Sequence, residues 1–333
     1  MIVKVENSIF ENTDTFFQKM DCFLHVVNER HFWLIDDFSN IETIRKSDWY
    51  KGLRPLYKSI IDGYIVASST KKKQNIVIVS SNGNNFDLDE ANVYLDQSFI
   101  LILENSMNDG HFITSLAKNF PKIGKLIDQH KSNKWLEYGN GNGCNGIINF
   151  INEKLQYDNN LPKLNKLEYL RCFVLVDSDS EYPNMQCSEA KNKLLAFLQE
   201  NKLPYHFLEK REIENYLPDE VIETIEGNEE YISAYLKLES IQKDYFDLEK
   251  GFPDKNFDTF NDYIKELYQN TSDQDIAIFR KQRLKIDGGF KSEVPKLFLH
   301  QKVTQTTLRN RVSHQVNDPN ELETILRKIS ELL

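Results

Sequence analysis

The segment RCFVLVDSDSEYP, residues 171–183, drives four apolar residues, Phe173 to Val176, into a core and then places two acids, Asp177 and Asp179, one residue apart at the exit. A short apolar run bounded by polar turn residues reads as a buried strand. The segments around it alternate strand and helix. QSFILILE precedes it as a strand. NDGHFITSLAKNF reads as a helix, with Phe112, Ile113, Leu116 and Phe120 at helical spacing. KWLEYG is a short strand and CNGIINFINEKL a helix. After the quoted segment come the helix SEAKNKLLAFLQENK, the strand PYHFLEK and the largely helical EIENYLPDEVIETI. Four strands joined by helical crossovers imply an α/β fold, a small parallel sheet covered on both faces.

This unit is expected over residues 96–230. Residues 1–95 read as a separate α+β domain. In it CFLHVV, HFWLIDDF, GYIVASS and NIVIVSS are expected strands and SDWYKGLRPLYKSIID a helix, with a polar boundary at SSNGNNFDLDEAN. Residues 231–333 read as a mainly helical C-terminal part, interrupted by the loop KIDGGFKSEVP.

The chain has 333 residues, 40% apolar and 28% charged, with a formal net charge of −10. Such a balance argues against binding nucleic acid through overall charge. The charge is uneven, however. Residues 209–230 hold nine acids and two bases, whereas residues 280–311 hold nine bases and two acids. An acidic metal site beside a basic substrate groove would produce this asymmetry; two solvated faces would also. The opening residues carry acids early and no long apolar run, and no apolar run approaches the roughly 18 residues of a spanning helix. The four cysteines form no CxxC pair, so reduced thiols in a cytoplasmic protein without a membrane partner are expected.

In a parallel sheet, ligands bind at the carboxyl ends of strands. Three expected strands end there in acids: FILILE in Glu104, FVLVDSD in Asp177 and Asp179, and the segment after the fourth strand in Glu209, Glu212 and Glu214. Residues two apart on a strand share a face, so the two aspartates could converge on one ion. Clustered carboxylates repel one another and call for a cation. Oxygen-only ligands favour Mg²⁺ or Mn²⁺ over Zn²⁺. An EF-hand is excluded, since Tyr182 stands where its glycine is needed and Ser188 where its glutamate is. The run GNGNGCNG, residues 139–146, lacks the Lys-Ser/Thr ending of a phosphate loop and reads as a flexible turn that could also approach a phosphate.

The order of these acids resembles the TOPRIM domain, the Mg²⁺ module of topoisomerases, primases and nucleases. It looks most like the OLD-family and related phage-defence nucleases, whose motifs run ilvEGxsD, vvvDxD and kreIENyl. Here they read LILENSMND, FVLVDSD and KREIENYLP. The likeness covers residues 96–220 or so, and it implies a Rossmann-like TOPRIM core. It implies that Glu104 is the first-motif acid and metal ligand, that Asp177 and Asp179 hold ions, and that Glu214, or else Glu212, completes the set. The usual glycine after the first acid is Asn105 here. The next family acid falls on Asn108, so either Asp109 serves or that ligand is lost. A late lysine is also implied, with Lys291 first and then Lys285 and Lys296.

The implied function is Mg²⁺- or Mn²⁺-dependent hydrolysis of DNA or RNA phosphodiesters. By analogy it serves anti-phage defence, in an oligomer or complex with a separate ATPase, since the chain has no Walker A motif. Two rivals stand beside it. One is a non-catalytic TOPRIM-like binding module; the other is a DxD glycosyltransferase, which gives no reason for Glu104 or REIEN.

Overall fold

The computed structural model describes residues 1–11, 16–73, 75–155, 166–252 and 260–333. The chain forms two compact units, one of residues 1–99, 153–171 and 329–333, the other of residues 100–152 and 172–328. Among the described residues no helix is long and apolar enough to cross a membrane. All four cysteines are free thiols.

The first unit is itself α/β rather than α+β. Its three-stranded sheet has the order β2-β1-β3, from β1 (Ile2–Val5), β2 (Phe32–Trp33) and β3 (Ile76–Val79). Both pairings are parallel, with Val3 opposite Trp33 on one side and Val77 on the other. The central strand, IVKV, lies at the chain start that the sequence reading passed over. Two expected strands are helical. CFLHVV belongs to the helix Phe16–Arg30, whose buried residues Phe16, Met20, Phe23, Leu24 and Val27 follow helical spacing. A window confined to CFLHVV is too short to reveal that period. GYIVASS ends the helix Pro55–Ser68, which opens on a proline at its first turn and buries Ile61 and Ser68, seven residues apart. The polar passage at 80–92 turns helical at Leu88, because the Asp87 side chain caps the Glu90 N–H while Glu90 returns to the Asp87 N–H. The core closes around Val5, Phe23, Trp33, Ile44 and Val79, all with no measurable exposure.

The second unit carries the expected four strands: β4 (Phe99–Leu103), β5 (Leu136–Asn140), β6 (Cys172–Val176) and β7 (Tyr205–Phe207). Their order is β5-β4-β6-β7. β6 runs parallel to β4 (Ile102 opposite Val174) and to β7 (Val176 opposite Phe207). All five residues of β6 are buried, as a strand covered on both faces requires. The expected helices form at Ser106–Asn119, Cys144–Leu155 and Glu189–Glu200. An unforeseen one, Pro121–Ser132, begins on a proline directly after Phe120.

The chain leaves β4 towards β5 on one side and leaves β6 towards β7 on the other. The departing loops therefore diverge, and a crevice opens at the carboxyl ends of β4 and β6. Replacing Phe173, 1% exposed in the middle strand, with alanine is expected to cost about 3–5 kcal/mol in urea unfolding. Val66→Ala, at a position 73% exposed on its helix, should change stability by no more than about 0.5 kcal/mol.

Candidate metal centre

The β4–β6 register fixes the first two acids. Glu104 follows β4 directly and Asp177 follows β6, so both leave the sheet at its carboxyl edge. The backbone N–H of Asp177 reaches the Glu104 carboxylate. Glu104 Oε1 and Asp177 Oδ1 are both buried without a hydrogen-bond partner. A buried carboxylate oxygen with no donor is costly unless something positive meets it.

Burial pushes the Glu104 carboxyl up to about 7, helped by the charges of Asp179 and Asp109 and opposed by Lys191. Asp177 lies well above the carboxylate range, first through burial and then through Asp109, Glu104, Glu214 and Glu212. Burial, and then Glu212, lifts Glu214 to about 8. Burial raises Glu212 as well, against the pull of Arg211. These acids from three segments thus sense one another.

Of the two candidates in the first motif, Asp109 is the one whose charge reaches the other acids. Burial raises its carboxyl to about 6, and its charge acts on Asp177 and Glu214. The Asn105 N–H donates to Asp109 Oδ2 at 2.8 Å, while the Asn105 side chain caps the helix Ser106–Asn119. Asn108 points elsewhere, donating from Nδ2 to the Lys291 carbonyl at 2.6 Å. That bond ties the loop of Lys291 to the first motif, and the Lys291 ammonium lowers the Glu214 carboxyl. The Lys296 ammonium pairs with Glu293 at 2.6 Å, and the Lys285 backbone N–H donates to Asn228. The carboxyl of Glu209 is raised to about 7 by burial and then by Glu321 and Asp318, outside the cluster.

Asp179 departs from the expectation of strand alternation. The strand ends at Val176, and Asp179 takes a left-handed conformation at φ 51°. Its N–H donates to the Arg211 carbonyl at 2.8 Å. Its carboxylate, more than half exposed, pairs with Lys191 Nζ at 2.6 Å.

Lys191 is the residue that sequence reasoning missed. Its side chain is 3% exposed, and besides Asp179 its ammonium donates to the Asp177 carbonyl. The signal was present: Lys191, Leu194 and Leu198 occupy one buried helical face, a place where lysine stays only with a charged partner.

The glycine-rich run holds the end of β4. Gly141 N–H donates to the Leu103 carbonyl and Asn142 N–H to that of Glu104, at 2.7 and 2.9 Å. The turn closes tightly, since a Cβ on Gly146 would lie 1.8 Å from the Gly141 oxygen.

The third motif is mostly scaffold. Lys210, fully buried, pairs with Asp244 and donates to the Arg311 carbonyl at 2.5 Å. The Asn215 side chain donates to the carbonyls of Lys243 and Phe246, both at 2.8 Å. Tyr216 donates its hydroxyl to Glu321 at 2.5 Å. Arg311 donates to the Asn215 carbonyl at 2.6 Å and is itself buried, so the basic excess of residues 280–311 is partly internal.

Among the described residues, no three His, Cys, Asp or Glu side chains are gathered closely enough to ligate one metal ion. Asp179 is drawn to Lys191 and Asp109 to the Asn105 N–H, which leaves Glu104 and Asp177 as the inner pair. The donors suit a hard cation in kind, being oxygen throughout, and two of their oxygens lack any other partner. Comparisons with family models, with curated proteins and with solved structures return no match.

The raised carboxyls fix a sign. The folded chain holds these protons more tightly than the unfolded chain, whose glutamates titrate near 4.5. The stability they contribute is full below that value and is lost as pH rises through about 7 for Glu104 and about 8 for Glu214. Thermal melts in EDTA should therefore show stability falling from about pH 5 to pH 8.5, and Glu104→Gln should flatten part of that fall. A wild-type profile that is level across the range would contradict a repelling cluster.

Proposed function

We propose that this chain is a Mg²⁺- or Mn²⁺-dependent nuclease with a TOPRIM core over residues 96–230. One observation carries the reading. Glu104 and Asp177, at the ends of neighbouring parallel strands, each bury an unpartnered carboxylate oxygen amid the charges of Asp109, Asp179, Glu212 and Glu214. The segment order and the reversal of strand order between β4 and β6, with connections leaving to opposite flanks, support the same reading.

In this reading Glu104 and Asp177 would hold the ion, and Asp109, Glu212 and Glu214 would have to draw closer than they stand here to join them. A divalent cation bound there would offset phosphate charge and make water a better nucleophile. Glu104 would meet the ion through Oε1, which has no other partner. Lys291, on the loop tied to Asn108, supplies positive charge for a phosphate beside Glu214. The proposals of a separate ATPase partner and of anti-phage defence rest on the resemblance alone.

Glu104→Gln and Asp177→Asn should each lower Mn²⁺-supported cleavage of DNA or RNA by more than the roughly 10–100-fold typical of outer metal partners, without loss of folding by circular dichroism. Full activity in both variants would refute the assignment.

A second reading, a non-catalytic binding module, is favoured by Lys191, whose buried ammonium already supplies a cation to the acids, and by the want of a ready-made ligand set. It predicts Mn²⁺ binding by calorimetry with no cleavage across a panel of DNA, RNA and tRNA.

A further inference from the structure

A cavity of about 260 Å³ that the carboxylate chemistry does not use is lined in part by Arg211 and Asp247, whose charges both act on Glu212. Arg211, one of its lining residues, directly precedes Glu212, and the Arg211 carbonyl accepts from the Asp179 N–H.

Its walls are of two kinds. Phe252, Phe260 and Tyr268 form an apolar side, with Phe252 edge-to-face against both of the others. Arg211, Asp247 and Glu181 give a polar edge, the guanidinium standing 3.2 Å from Asp247 and 4.0 Å from Glu181. Arg211 Nε is buried and has no hydrogen-bond partner. Two carboxylates beside one guanidinium make this a poor seat for a phosphate. A neutral planar ring that both donates and accepts along one edge suits it well, because the carboxylates take N–H groups and the guanidinium gives them. The volume falls below the usual 300–1,000 Å³ of drug-sized pockets, which fits one ring system rather than a whole cofactor.

A second feature adjoins the opening. Tyr182 and Tyr263 stack with centroids 5.0 Å apart and planes 18° from parallel, and Tyr263 is 62% exposed. Tyr182 follows Glu181, and Tyr263 sits between Asn261 and Ile264, which also line the cavity. An exposed aromatic stack beside a polar groove is the usual platform for unpaired bases.

We propose that this cavity takes a single unpaired nucleobase, with the Tyr182–Tyr263 stack supporting its neighbour. The inference rests on the nuclease reading and narrows it: the substrate is single-stranded where it meets the acids.

The test uses the full chain carrying Glu104→Gln, with Mn²⁺, and measures binding of a labelled 12-nucleotide single strand by fluorescence polarisation. One base at a time is replaced by an abasic residue, and the same strand paired to its complement is a second arm. The expected result is one or two adjacent positions where the abasic change weakens binding roughly tenfold, and weaker binding of the duplex. Tyr263→Ala, an exposed change, should lose a similar factor, and Phe260→Leu should erase the positional effect. Equal affinity for single strand and duplex, or indifference to every abasic position, would overturn the pocket. Wild-type cleavage of duplex with no positional effect would remove this inference and leave the nuclease standing. Positional binding with no cleavage by the wild type would do the reverse.

Discussion

The parallel pairing of β4 with β6 is the constraint on which the site depends. Its register sets Ile102 opposite Val174, so the residues that end the two strands, Glu104 and Asp177, must share one edge. The hydrophobic sequence of two strands thus brings two acids to one edge, each with one carboxylate oxygen buried. Burial first, and the charges of the surrounding acids second, raise both carboxyls out of their usual range.

Around this edge the chain uses buried charge as mortar. Glu321, fully buried, accepts from His206, Tyr216, Gln315 and the Glu209 N–H. Asp244 receives Lys210, Arg311 and His314. Burial, and then Arg311, depresses the Lys210 ammonium to about 7. Each charge is partnered, so removing one member would strand another in low dielectric. The network joins the third motif to segments roughly 30 and 100 residues further along, and it holds Glu212 and Glu214 in their positions without touching any reacting group.

The strand–helix alternation of the second unit was legible because each segment kept its own period. CFVLV, FILIL and GIINFINEKL took the expected form, whereas the residues after Val176 turn away from the strand. The first unit was harder, since CFLHVV and GYIVASS are rich in residues that also suit strands and their helical period shows only over longer windows. The principal acids could be read from strand ends. Which residue of the first motif joins them could not, because one extra step around a helix turn decides between Asn108 and Asp109. Lys191 was hidden for another reason: its partners lie 12 and 14 residues away, across a left-handed turn that no local pattern reports.

The divergence of the two loops at the carboxyl edge has an evolutionary corollary. Because β4 hands the chain to one flank and β6 to the other, insertions into either connection would grow outward from the crevice rather than across it. Descendants of this architecture could remodel their outer surfaces, and with them their choice of companions, while the acidic pair at the centre stayed where two strands leave it.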